Sequence, residues 1–443
     1  MKLEFQKTIL RFRAKFMGSS KKKKLTSEAF VLPSTSSESA EEQDLDEDEY
    51  SGLYYYLQPK KKRELSVTVQ VINQKLEQVY HEFRPSTEVV LGQIHLYSVI
   101  HKQVTDLFKC VDVYAFGSAV NGFGYLESDM DLTIIGFSEH QMKRTKEGLL
   151  EDLKAYLMEE ENVQENGLSD AMLLAKTKFP LIKMQSNFNG HSYFLDLGIN
   201  SRKGISNSLL LNCYARIDKR VRLLDMVVKE WTKLNHLFGG SKQRFNSYSL
   251  TLMVIYYLQR GIKPPLLPNL HQEVMDIFNV QFNEDPFEVI KEFELKFDPE
   301  EQEMTLIELF FGFVEFYDSF DFKNELIAIH KKENVSSGYQ SDEDCTSLIN
   351  IEDPCEGNNP ARGVSQECFD GFKAVLSRVH TSKWFNILSN PAQFDPKTYG
   401  LDLKVFLNYF GVDMQRDDAL HNVQLDSLYS TLYPLEAHNI FLS

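Results

Sequence analysis

The stretch "AFGSAVNGFGYLESDMDLTII", residues 115–135, decides how this chain is read. A short apolar run, VDVYAF (111–116), ends at Gly117-Ser118, and a second β-rich run, MDLTIIGF (130–137), carries aspartates at 129 and 131 around its start. Successive side chains of a strand alternate faces, so Asp129 and Asp131 leave by the same face. Two carboxylates that close repel each other unless a cation lies between them. A glycine after a strand lets backbone approach a ligand closely, and a serine adds a hydroxyl beside exposed N–H groups. Phosphate suits the Gly-Ser half, and a divalent cation suits the aspartate half. Magnesium binds through one or two carboxylates plus phosphate oxygens, and a pair of ions can serve both the attacking and the leaving oxygen of a displacement. That geometry needs a third carboxylate from a neighbouring strand. YFLDLGI (193–199) supplies Asp196, a charge in an apolar pattern where an unpaired carboxylate is costly.

Around this stretch the 443 residues suggest two or three domains. Residues 1–65 combine basic clusters (KKKK, PKKKR) with the acidic tract SSESAEEQDLDEDEY, and are expected to be disordered. The lysine clusters read as solvated charge, a nuclear import signal or a phosphate-binding patch. Helical spacing begins near 66, and a helix over 66–85 is expected to pack with the later helical part. Residues 86–204 alternate helical and strand patterns. Residues 205–385 are helical apart from a polar loop at 333–348, and 386–443 form a C-terminal extension. No apolar run is long enough for a membrane span. Five cysteines without CxxC spacing argue against zinc and against a disulfide framework. The net charge of −16 disfavours nucleic-acid binding over the whole surface. Residues 201–245, however, hold ten Lys or Arg against three acids, a local basic segment that attracts phosphate.

The ordered blocks FGSAVNGFGYLESDMDL, FPLIKMQ, DLGINSRKGISNSLLLNCYARIDKRVRLLDMVVKEWTK, FNSYSLTLMVIYYLQ with LPNL, FFGFVEFYDSFDF and IEDPCEGNNPAR resemble the noncanonical poly(A) and poly(U) polymerases of the DNA polymerase β-like superfamily. The resemblance covers about 66–380. It implies an α+β protein, with a polymerase β-like nucleotidyltransferase domain and a helical central, poly(A) polymerase-associated domain. It further implies that Asp129, Asp131 and Asp196 hold Mg2+ (or Mn2+), with Asp196 also helping to activate a primer 3′ hydroxyl. Gly117 and Ser118 would touch a triphosphate, and Asn207 a ribose. Lys229 and Lys233 sit at i, i+4 and share a helix face. Alone they read as a solvated face; within these blocks they would neutralise the triphosphate. Ser247 would contact phosphate, and Tyr248 would stack on the base, although a lone tyrosine there reads as core.

Uridine-preferring relatives carry a histidine after the "EDPF" block. Here the text is EDPCEGNNPAR, with Asn358 and Asn359 near that place and Cys355 in place of Phe. The resemblance therefore implies a template-independent RNA 3′-terminal nucleotidyltransferase that accepts ATP. The alternatives are uridine or mixed tails of the RNA-silencing type, a noncatalytic scaffold, or a small-molecule nucleotidyltransferase. Expected partners are an RNA 3′ end, a nucleoside triphosphate and an RNA-binding protein, in the cytoplasm and also the nucleus.

Overall fold

The computed structural model describes residues 67–382, apart from 127, 139–140, 178, 271–302, 332–334 and 337–346. The expected disordered leader 1–65, the extension 386–443 and most of the polar loop 333–348 lie outside the described residues.

The described residues begin with two helices, α1 (Val67–Phe83) and α2 (Thr87–Leu107). Ser86 starts α2 by accepting the Val89 N–H on its hydroxyl. Five strands follow: β1 (Asp112–Phe116), β2 (Met130–Ile135), β3 (Leu168–Leu174), β4 (Leu181–Phe188) and β5 (His191–Ile199), with α3 (Lys146–Leu157) and α4 (Glu160–Asn166) between β2 and β3. They form one sheet in the order β1-β2-β5-β4-β3. Only the β2–β5 pair is parallel; the other pairs are antiparallel. The tight β4–β5 hairpin turns at Asn189-Gly190, both with positive φ, which sets the register of the two strands.

Alternation places the sheet. Met130, Leu132, Ile134, Ile182, Met184, Leu195 and Leu197 bury one face with Leu96, Ile100 and Val104 of α2 and Leu149, Leu150 and Leu153 of α3. The opposite face carries Asp131, Lys183 and Asp196.

A second, larger core belongs to the helices α5 (Arg202–Ile217), α6 (Lys219–Leu234), α7 (Ser247–Arg260), α8 (Leu306–Ser319) and α9 (Gln366–His380). Trp231, Tyr214, Tyr257, Tyr317, Phe245, Phe310, Phe313 and Phe372 are its largest fully buried rings. Ile72, Leu76 and Val79 of α1 pack into this core, so the first described helix belongs with the last ones. The two lobes meet where α5 runs under β1: a Cβ added to Gly204 would lie 2.9 Å from the Phe116 ring.

Candidate active site

Strand register gathers the carboxylates. Asp131 on β2 pairs with Asp196 on β5, and Asp196 pairs with Lys183 on β4. Directly opposed residues share a face, so Asp131, Asp196 and Lys183 form a row across the sheet. Asp129 precedes β2 and reaches the same group: Lys183 Nζ lies 3.0 Å from Asp196 Oδ2 and 3.9 Å from Asp129 Oδ2. Burial, then the charges of Asp196 and Asp129, push the Asp131 carboxyl up to about 7, against the pull of Lys183. Burial and Asp196 raise Asp129 as well. Burial opposes the charge on Lys183, but its bond to Asp196 and the three carboxylates outweigh this and raise its pKa.

This donor set fits a divalent cation. It offers hard carboxylate oxygens whose mutual repulsion a cation relieves, and an ammonium already fills part of that role. Among the described residues no three side chains yet converge as a ligand set; the ammonium holds Asp196 and Asp129 instead.

Gly117 sits against this group with φ +70, and a Cβ there would lie 2.1 Å from Asp131 Oδ2. Any side chain at position 117 would therefore collide with the carboxylate. The Gly117 N–H donates to Ser208 Oγ at 2.7 Å, and that hydroxyl donates to the Gly204 carbonyl. Ser118 follows in a single turn of 3-10 helix, partly exposed. Asn212 Nδ2 donates to the Val120 carbonyl at 2.7 Å, fixing the next part of the loop to α5.

One residue before Ser208, Asn207 turns toward the other half of the site. Its Nδ2 lies 3.0 and 2.9 Å from the two oxygens of Asp353. A carboxylate only accepts, which fixes the amide's orientation and leaves Asn207 Oδ1 buried without a partner among the described residues. Asp353 also accepts the Tyr248 hydroxyl at 2.9 Å and the N–H groups of Cys355 and Glu356. Burial and then Asp353 drive the Tyr248 phenol far above its ordinary pKa. Beside this hub is a cavity of about 440 Å³ lined by Tyr248, Asp353, Glu356, Asn358, Arg244 and Arg362, among others. Ser247 is the first residue of α7, next to the Asn246 cap, and partly exposed.

Two expectations need correction. Lys229 does share a helix face with Lys233, but segment 120–125 covers that face. Lys229 is 1 % exposed; its Nζ lies 2.7 Å from Asp225 and donates to the Phe123 carbonyl at 3.2 Å. Its i−4 neighbour Asp225, rather than a ligand, neutralises it. Lys233 lies over the Tyr125 ring, 3.2 Å from its centroid, and pairs with Glu230, which also accepts the Tyr125 hydroxyl. Both lysines therefore clamp the loop that follows Gly117-Ser118. Asn359 is likewise committed: its Nδ2 donates to the Ile349 carbonyl and its Oδ1 accepts the Ala361 N–H. Of the two, Asn358 is the one that lines the cavity.

The sequence reading missed Lys183, Ser208, Asp353 and Glu356. Lys183 left a signal, a charge in the apolar strand pattern of FPLIKMQ that opposes the one in YFLDLGI. Asp353 left only its place in the quoted IEDP block.

Known proteins share this sequence pattern and fold. The family described as "Poly(A) RNA polymerase, mitochondrial-like, central palm domain" matches residues 72–216. The terminal uridylyltransferase Cid1 of Schizosaccharomyces pombe is 30% identical over 309 residues, 64% of this chain and 71% of that protein. The poly(A) RNA polymerase gld-2 of Caenorhabditis elegans is 30% identical over 60% of this chain, which spans only 24% of that protein. The chain spans about half of the Xenopus laevis relative GLD2-A, 54%. The solved GLD-2/RNP-8 complex superimposes with a TM-score of 0.58 at 25% identity, over 70% of this chain and 94% of that one. With seven-tenths of a relative covered at that identity, and the same polymerase β-like fold, the chain belongs to the noncanonical poly(A)/poly(U) polymerase family.

Proposed function

We propose that this chain is a template-independent RNA 3′-terminal nucleotidyltransferase that accepts ATP. The observation that carries the reading is the bridge made by α5. Ser208 holds the Gly-Ser turn beside the three carboxylates, while Asn207 reaches the Asp353 hub of a nucleotide-sized cavity. One helical turn thus sets the reacting phosphate end and the base end of a single ligand.

In that reading a nucleoside triphosphate lies along α5. Its base rests against the Tyr248 ring with Asn358 at its edge, and a ribose hydroxyl donates to Asn207 Oδ1. Ser247, at the first turn of α7, and Ser118 are placed for phosphate oxygens. The missing side chain at Gly117 and the small one at Ser118 let the triphosphate approach Asp131. Asp196 takes the proton from the RNA 3′ hydroxyl. That oxygen bonds to the α-phosphorus while the bond to the bridging oxygen breaks, and pyrophosphate leaves. Magnesium or manganese, when bound by Asp129, Asp131 and Asp196, supplies the positive charge that the phosphates need. The chain itself contributes positioning and fixed charge.

Further elements of the reading are target choice through an RNA-binding partner, for which the relative solved as a GLD-2/RNP-8 complex is the support, and action in the cytoplasm and nucleus. No described helix is long and apolar enough to cross a membrane. A uridylyl-adding reading is supported by the likeness to Cid1. The test is extension of a labelled RNA primer by the purified protein with each nucleoside triphosphate in turn. No extension with any of them, with magnesium or manganese present, refutes the proposal.

Base choice gives a sharper expectation. Asn358→His places a ring nitrogen near the position where uridine-preferring relatives have one, so the ratio of uridine to adenosine in mixed tails should rise about tenfold, the worth of one well-placed hydrogen bond. Sequencing of products made with all four nucleotides at equal concentration checks this. Tails of uridine alone from the unaltered protein would contradict ATP use.

A further inference from the structure

An asparagine side chain has two ends, a carbonyl that accepts and an amide that donates, so Asn358 could meet either an amine or a carbonyl on a base. The tertiary structure removes that choice. Asn358 Nδ2 donates to Glu356 Oε2 at 2.6 Å. An ionised carboxylate has no proton to give, so the nitrogen end must face Glu356.

The loop holds both residues in place. The Glu356 N–H donates to Asp353 Oδ1 at 2.7 Å, and the Asn358 carbonyl of the main chain accepts the Asp353 N–H at 2.9 Å. Gly357, with φ +72 and its N–H on the Asp353 carbonyl, makes the tight tip between them. Both side chains line the cavity walled by Tyr248. Asn358 Oδ1 accepts nothing from the described residues, so the carbonyl is the end left for a ligand.

We propose that Glu356 is a positioning residue that locks the Asn358 amide with its carbonyl toward purine C6 or pyrimidine C4, so that the site selects bases with an amine at that position, adenine and cytosine, over those with a carbonyl there, guanine and uracil. The inference rests on the nucleotidyltransferase reading above. An amine meeting Oδ1 completes a hydrogen bond. A carbonyl meeting it sets two acceptors face to face and leaves both unpaired.

Cytosine and uracil have the same ring size and differ at that edge, as do adenine and guanine, so two pairwise competitions isolate the effect. The full chain, a labelled RNA primer and equal CTP and UTP, or equal ATP and GTP, should give products favouring C and A by about tenfold each. Glu356→Gln, whose amide can present either end to Asn358, should bring both ratios close to unity. In an Asn358→Ala background the same substitution should no longer move either ratio, because Glu356 acts through Asn358. Ratios at or below one in the unaltered protein overturn the inference. So does an unchanged ratio in Glu356→Gln, or an equal shift in the Asn358→Ala background.

Thermal stabilisation by the same four nucleotides, read without turnover, separates the two levels. A protein that extends no RNA yet keeps the order A over G and C over U refutes the reading above and not this one. A protein that extends RNA without that order does the reverse.

Discussion

Asp196→Asn and Asp131→Asn should each lower primer extension by on the order of a thousandfold or more while leaving the protein folded. Both carboxylates stand in one row of the sheet, and neither supports the core beneath it, since Leu195, Leu197, Met130 and Leu132 point the other way. Asparagine keeps the shape and removes the charge. The decisive companion measurement is stability in a metal chelator. The Asp131 carboxyl, raised to about 7, keeps its proton in the folded protein between about pH 4 and 7, where the unfolded chain has released it. Folded stability therefore falls as pH rises through that window, and the full penalty is present above it. Asp131→Asn removes the penalty, so the metal-free variant should be more stable than the parent above pH 7, by on the order of 1–3 kcal/mol, and no more stable near pH 4. A variant that loses both activity and stability at pH 8 would make Asp131 a structural residue.

Gly117→Ala should be nearly as damaging, by a different route. The new Cβ would lie 2.1 Å from Asp131 Oδ2 and 3.0 Å from its Cγ, so the carboxylate must leave its place. Displacing a reacting group by about 1 Å costs about a hundredfold in rate. The positive φ of +70 adds backbone strain of about 1–2 kcal/mol. Gly190→Ala separates the two effects. Gly190 also has a positive φ, +79, but a Cβ there meets nothing within 4 Å. It should cost similar stability and leave the extension rate within about twofold of the parent, since only backbone strain is added. Equal rate losses in the two variants would show that strain, rather than the collision with Asp131, is responsible.

Much of this architecture is legible in the residues. Period-two patterns mark VDVYAF, MDLTIIGF and YFLDLGI, and these are strands β1, β2 and β5. The three aspartates stand out because charge interrupts apolar alternation, and local geometry is enough to place Asp129 and Asp131 together. The helical spacing of the later chain likewise becomes one aromatic-rich core, but residues 320–331 and 349–365, expected to be helical, form turns and short β-bridges instead.

The misreadings at the site are all of one physical kind. Spacing tells which side chains share a face but not what covers that face. Lys229 and Lys233 are on one face, and a loop about a hundred residues earlier closes over it and turns Lys229 to Asp225. Lys183 joins the carboxylates because the Asn189-Gly190 turn sets the β4–β5 register opposite Asp196. Asn207 and Tyr248 meet on Asp353, more than a hundred residues further along the chain, a junction that no local pattern contains. The sequence by itself determined strands β1 to β5, most of the helices and the family. The tertiary structure decided which cations are spent inside the protein and which end of Asn358 faces a ligand, because a hydrogen bond takes its direction from its partner and those partners are brought together only by folding.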